Sequence, residues 1–179
     1  MTPNELLSST VAMFEALLVT PDQQAPMLEA AMRAYQTKAG VRKKIMVNAY
    51  VIDTPPAFAC IASASDAEGD AVFPEAELED GKIAIESDAQ LPVTLYYFVD
   101  LCALNKESDH LPQTSISLIQ RHLFTQLERE NDKRIAQMQG MMDAELGEVT
   151  SAESKDMRLQ QIEEQMTAEG AFAQPLSIH

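Results

Sequence analysis

The stretch LPVTLYYFVDLCAL at 91–104 decides how the rest of the chain is read. Its β-branched and aromatic residues speak for a strand, but its length suits a helix and Asp88 stands where a cap belongs. Read as a buried helix, it joins the helices on either side and turns everything between about 41 and 87 into an insertion. Asp100 interrupts its apolar run, which is too short to cross a bilayer core of about 30 Å.

Upstream, the chain opens with a helix-start signal. Thr2 is the expected N-cap, Pro3 the first helical residue, and Glu5 the capping partner three positions on. Leu7, Val11, Phe14 and Leu18 then form one apolar face. The same grammar recurs at Thr20, Pro21 and Gln23. Met27, Leu28, Ala31 and Tyr35 continue this second helix, bent or restarted at Pro26, until Gly40 stops it. After Gly40 the period changes: Val41, Ile45, Val47, Ala49 and Val51 occupy every second position but Lys43, with Arg42, Lys44 and Asn48 among the opposite set, as in a strand with one face turned to a core. Thr54-Pro55-Pro56 breaks it, because proline cannot donate to a ladder. Phe58, Cys60, Ala62 and Ala64 predict a returning strand, 66–70 a turn, and Lys82–Glu86 a third strand.

Downstream, Asn105–Pro112 is a polar link. Ile116, Ile119, Leu123, Leu127, Ile135, Met138 and Met142 form one stripe of a long helix, which Gly147 interrupts. Thr150 and Glu153 predict a new capping box, followed by the thinner stripe Leu159, Ile162 and Met166 and a stop at Gly170. The expected fold is therefore α+β and mostly helical. It has a helical bundle core, a small antiparallel β insertion at about 41–87, one domain over 1–170, and an extended C-terminal tail at 171–179.

The 179 residues carry 13 Lys+Arg against 28 Asp+Glu, a net charge of −15. That excludes a protein that grips phosphates, which needs a positive field. With 46% hydrophobic residues the chain is not compositionally disordered. Two cysteines make no disulfide scaffold; Cys60 and Cys102 are expected to be reduced, buried, small apolar residues. No Lys or Arg precedes Arg33, so the basic start of a secretory signal is missing, and a cytoplasm-like compartment without membrane contact is expected.

The distribution of charge says more than its total. Residues 33–44 hold Arg33, Lys38, Arg42, Lys43 and Lys44 and no acid. From 48 to 105 the acids run from Asp53 to Asp100 against Lys82 alone. Lysines on a strand edge and a solvated acidic loop account for this in one way. In the other, Arg42, Lys43 and Lys44 meet Glu75, Glu77 and Glu79 of a neighbouring copy.

Catalytic signals are weak. His110, His122 and His179 stand apart, and no CxxC or HExxH pattern supports zinc. Asp109-His110 has no marked nucleophile beside it. Asp66, Glu68, Asp70 and Glu77 fit part of a calcium loop, but Ala71 stands where glycine is needed and Pro74 lies inside, so a metal-dependent hydrolase there is the weakest reading. No glycine-rich phosphate cradle exists. The expectation is a protein without catalytic residues, metal or cofactor. The tail instead carries Phe172, Pro175, Leu176 and Ile178, apolar residues that either strap onto their own domain or dock in a groove of another chain.

The segment AMRAYQTKAGVRKK at 31–44 and LPVTLYYFVDL at 91–101, with the long charged helix and the tail, resemble small structural proteins of tailed-bacteriophage neck modules. The resemblance is to head–tail connectors, the adaptor or head-completion proteins. It implies a virion protein made in the host cytoplasm, with a helical core and a ring of about twelve copies docked under the portal. It further implies a C-terminal segment inserted into the portal, a tail or tail-terminator protein as the next partner, and DNA passing through without specific binding. The inserted sheet departs from the all-helical adaptors. An acidic assembly chaperone or adaptor that binds a single protein partner is the alternative.

Overall fold

The computed structural model describes residues 1–77, 80–142 and 152–170. Thr2 caps α1 (Pro3–Val11) as expected: its hydroxyl accepts from the Glu5 amide at 3.2 Å, and the Glu5 carboxylate accepts from the Thr2 amide at 2.8 Å. The helix ends sooner than its apolar face; Phe14 and Leu17 pack on the core from the turn that follows, and Leu18 is exposed. α2 (Pro21–Lys38) runs unbroken through Pro26. Gly40, at φ 67°, turns the chain into the sheet.

Among the described residues seven strands follow: β1 (Arg42–Val47), β2 (Val51–Asp53), β3 (Phe58–Ser65), β4 (Ala71–Val72), β5 (Glu75–Glu77), β6 (Lys82–Ala84) and β7 (Val93–Val99). They form two antiparallel sheets, one ordered β1-β7-β3-β4 and the other β2-β6-β5. The expectation of a buried helix at 91–104 is overturned. β7 alternates buried and half-buried residues along its whole length, the period-2 signature of a strand with one face in a core. A helix capped at Asp88 would place Pro92 where the first intrahelical N–H is needed, and proline has none. Asp100 instead caps a short 3-10 turn, Leu101–Ala103, by accepting from the Cys102 amide at 2.9 Å.

A helical bundle with a β insertion is therefore not the architecture. β7 pairs with both β1 and β3, so the sheet runs beyond the 41–87 stretch and divides the apolar interior into two cores. Tyr97 and Val99 on the inner face of β7 join Leu28, Met32, Ile119, Leu123 and Leu127 of the helices. Val93 and Leu95 on the same face join Val47, Ala64 and Ile83 in a second core between the two sheets. β1 is also shorter than its alternation suggested: Val51 leaves for the other sheet and is exposed. Register shifts in β3 split its expected face, turning Ala64 inward and leaving Cys60 exposed rather than buried.

α3 (Gln113–Met142) buries Ile119, Leu123 and Leu127 completely, but by Met138 its stripe has reached solvent. α4 (Ala152–Glu169) lies on α2 and α3 through Ile162 and Met166. Gly170 ends it against Ala39, where a Cβ would come within 2.3 Å of the Ala39 Cα. Gly147 and Thr150 lie outside the described residues.

Candidate contact surfaces

The basic run at 42–44 is divided by the pleat of β1. Arg42 and Lys44 point to the outer face of the four-stranded sheet, where both lie over the Tyr96 ring, 5.3 and 5.8 Å from its centroid. Lys43 points to the inner side, level with Tyr97, and lines a cleft of about 630 Å³ with Tyr35, His110, Thr114 and Glu169. The register puts Met46, Thr94, Phe98 and Cys60 on the outer face with Tyr96. Lys44, Met46 and Cys60 are exposed, so this face is open to solvent, apolar and cationic together.

The acidic candidates sit on the other sheet. Glu75 and Glu77 are two apart on β5, an exposed edge strand, and share one face with Asp53 and Lys82. Phe73 precedes that strand with 73% of its surface exposed. Ile83, from the opposite side of β6, belongs to the core between the sheets. Both sheets thus turn their inner faces to one core, and the cationic and acidic faces look outward on opposite sides of it. Glu79, Phe172, Pro175, Leu176 and Ile178 lie outside the described residues.

Asp66, the centre of the partial calcium spacing, has its carboxylate engaged by backbone amides. Oδ1 accepts from Glu68 and Asp70 at 3.0 and 2.9 Å, and Oδ2 from Gln90 at 3.3 Å. Burial pushes this carboxyl up, but the amides of Gln90, Asp70, Glu68 and Gly69 outweigh it and hold it below its ordinary value. Among the described residues, no three His, Cys, Asp or Glu side chains converge as metal ligands.

Buried polar contacts between α3 and α4 escaped the sequence pattern. His122 on α3, 3% exposed, has its Nε2 3.6 Å from Glu163 Oε1 on α4, and Glu163 also pairs with Lys38 on α2 at 3.3 Å. Burial holds the imidazole below its ordinary range, and the pull of Glu163 the other way does not offset it. Lys155 on α4 is buried against Asp132 of α3. Nothing in the spacing of either helix pairs these residues; Phe73 escaped as well, though an apolar residue before Pro74 in an acidic run is a signal that could have found it. Tyr96 and Phe98 were concealed by the helical reading of their segment. The sequence matches no family model and no curated protein. No described helix is long and apolar enough to cross a membrane.

Proposed function

We propose that this chain is a structural, non-enzymatic connector of a tailed-phage neck. Copies assemble into a ring that docks beneath the portal, hands over to the tail or tail-terminator protein, and lets DNA pass. One observation supports this above the others: a cationic–aromatic face and an acidic face lie on opposite sides of one β core. Such a protomer cannot satisfy both faces in a two-fold dimer by matching like with like, but it can do so head to tail, and head-to-tail contacts give a ring where the rotation between copies closes and a filament where it does not. The remaining acidic surface, in a chain of net charge −15, repels rather than holds a polyanion in transit.

Mass photometry of the full chain, alone and with the portal protein of the same genome, tests the proposal. Ring-sized species, or a shift of the portal peak, are expected. A protein that stays monomeric or dimeric at every concentration and ignores the portal overturns it in favour of a single-partner assembly chaperone.

A further inference from the structure

We infer that the contact between neighbouring copies is made by Phe73 and the acidic strand β5 of one protomer seating on the Arg42–Lys44–Tyr96 face of the next. The idea rests on the self-assembly proposed above and names the surfaces that carry it. Three features of the structure lead to this pairing. Phe73 and Met46 are among the most exposed large apolar side chains, at 73% and 64%, and each adjoins one of the two charged faces. Arg42 and Lys44 are already arrayed over the Tyr96 ring, so they meet an incoming carboxylate with part of their freedom spent. Glu75 and Glu77 project from one side of an edge strand, two residues apart, and Arg42 and Lys44 have the same spacing along β1. A phenylalanine followed by two carboxylates at strand spacing therefore faces an apolar patch flanked by two cations at strand spacing. Lys43, on the other side of β1, takes no part.

The chain also supplies a reason for the partner to be another copy rather than nucleic acid. A neighbouring copy brings the same net charge of −15, so long-range repulsion opposes it as it opposes a polyanion. The reason is local: β5 sets two carboxylates beside the exposed Phe73, and a phosphate backbone has no apolar side chain to seat on the patch around Met46.

Two full-length variants are made, Arg42→Glu with Lys44→Glu to block the receiving face, and Phe73→Asp to block the inserting one. Phe73 is solvent-exposed, so its replacement leaves the cores intact. Sedimentation velocity follows each alone and both mixed. Each variant alone is expected to lose assembly beyond the monomer, with self-association weakened at least about tenfold. The equimolar mixture is expected to recover a 1:1 dimer and nothing larger, because each partner keeps one working surface. Net repulsion from the added charge cannot produce that recovery. If both variants assemble as the unaltered chain does, the contact lies elsewhere while the connector proposal stands; if the unaltered chain does not assemble, the connector proposal itself falls. Binding of a labelled oligo-dT strand that Arg42→Glu with Lys44→Glu abolishes would overturn the inference by assigning the face to nucleic acid.

Discussion

His122 shows how one buried group makes stability depend on pH. It is 3% exposed, and the charged groups that line the same cleft are Glu163 on α4 and Glu29, Arg33 and Lys38 on α2, with Gln126 beside it on α3. Because burial holds the folded imidazole below the ordinary 6.5, the unfolded chain binds its proton first. Stability from this site is complete above pH 6.5 and is lost as pH falls from there through the lowered folded value. Urea midpoints measured from pH 7.5 to 5.5 are expected to fall in the unaltered protein and to fall less in His122→Leu. Equal slopes would show that another group carries the dependence.

At the level of elements, α4 is held differently from the other helices. Among the described residues its buried apolar contacts are Ile162 and Met166; polar contacts also tie it to α3, with Arg121 donating to Gln165 at 2.7 Å, Arg129–Asp156 at 3.1 Å, Arg158–Glu128 at 3.5 Å and the buried Lys155–Asp132 pair. The Arg129 and Arg158 pairs are half-exposed and contribute at most about 1 kcal/mol each. The Lys155–Asp132 pair is different, since removing one partner strands a buried charge. Asp132→Ala is expected to cost about 3 kcal/mol in chemical denaturation. In hydrogen exchange its effect should fall on the amides of α4, with those around Leu123 of α3 little changed. Uniform loss of protection along both helices would show that α4 does not open separately. Element boundaries were legible where the determinants are local. The Thr2–Glu5 box, the turn at Gly40 and the Ile119–Leu123–Leu127 stripe each arise from residues within a few positions of one another. The end of α1 was not, because Phe14 and Leu17 keep their apolar role from a turn.

Across the whole molecule, β7 is the shared wall of both cores. Leu95 faces the core between the sheets, and Tyr97, two residues on, faces the helices. Leu95→Ala is expected to cost about 3 kcal/mol and to shift a single unfolding transition, because loosening β7 weakens both cores together. Separate transitions by far-UV and near-UV signals would show that the cores unfold independently. The same division sets the two charged faces on opposite sides of the β core, and with it the head-to-tail contact proposed above.

The Thr2–Glu5 box of α1, the break after Gly40, the apolar stripe of α3 and the uneven charge were legible in the chain itself, since each depends on spacing along a few turns or on composition; Thr20, expected to cap α2, makes no side-chain cap hydrogen bond. Long-range packing settled that 91–104 holds a strand and an adjoining turn, that Arg42 and Lys44 share a face from which Lys43 is turned away, and that His122 meets Glu163. Those outcomes depend on partners far apart in the chain. An apolar, aromatic segment can satisfy its own backbone as a helix or a neighbour's as a strand, and the β1 and β3 edges on either side of β7 resolve the choice.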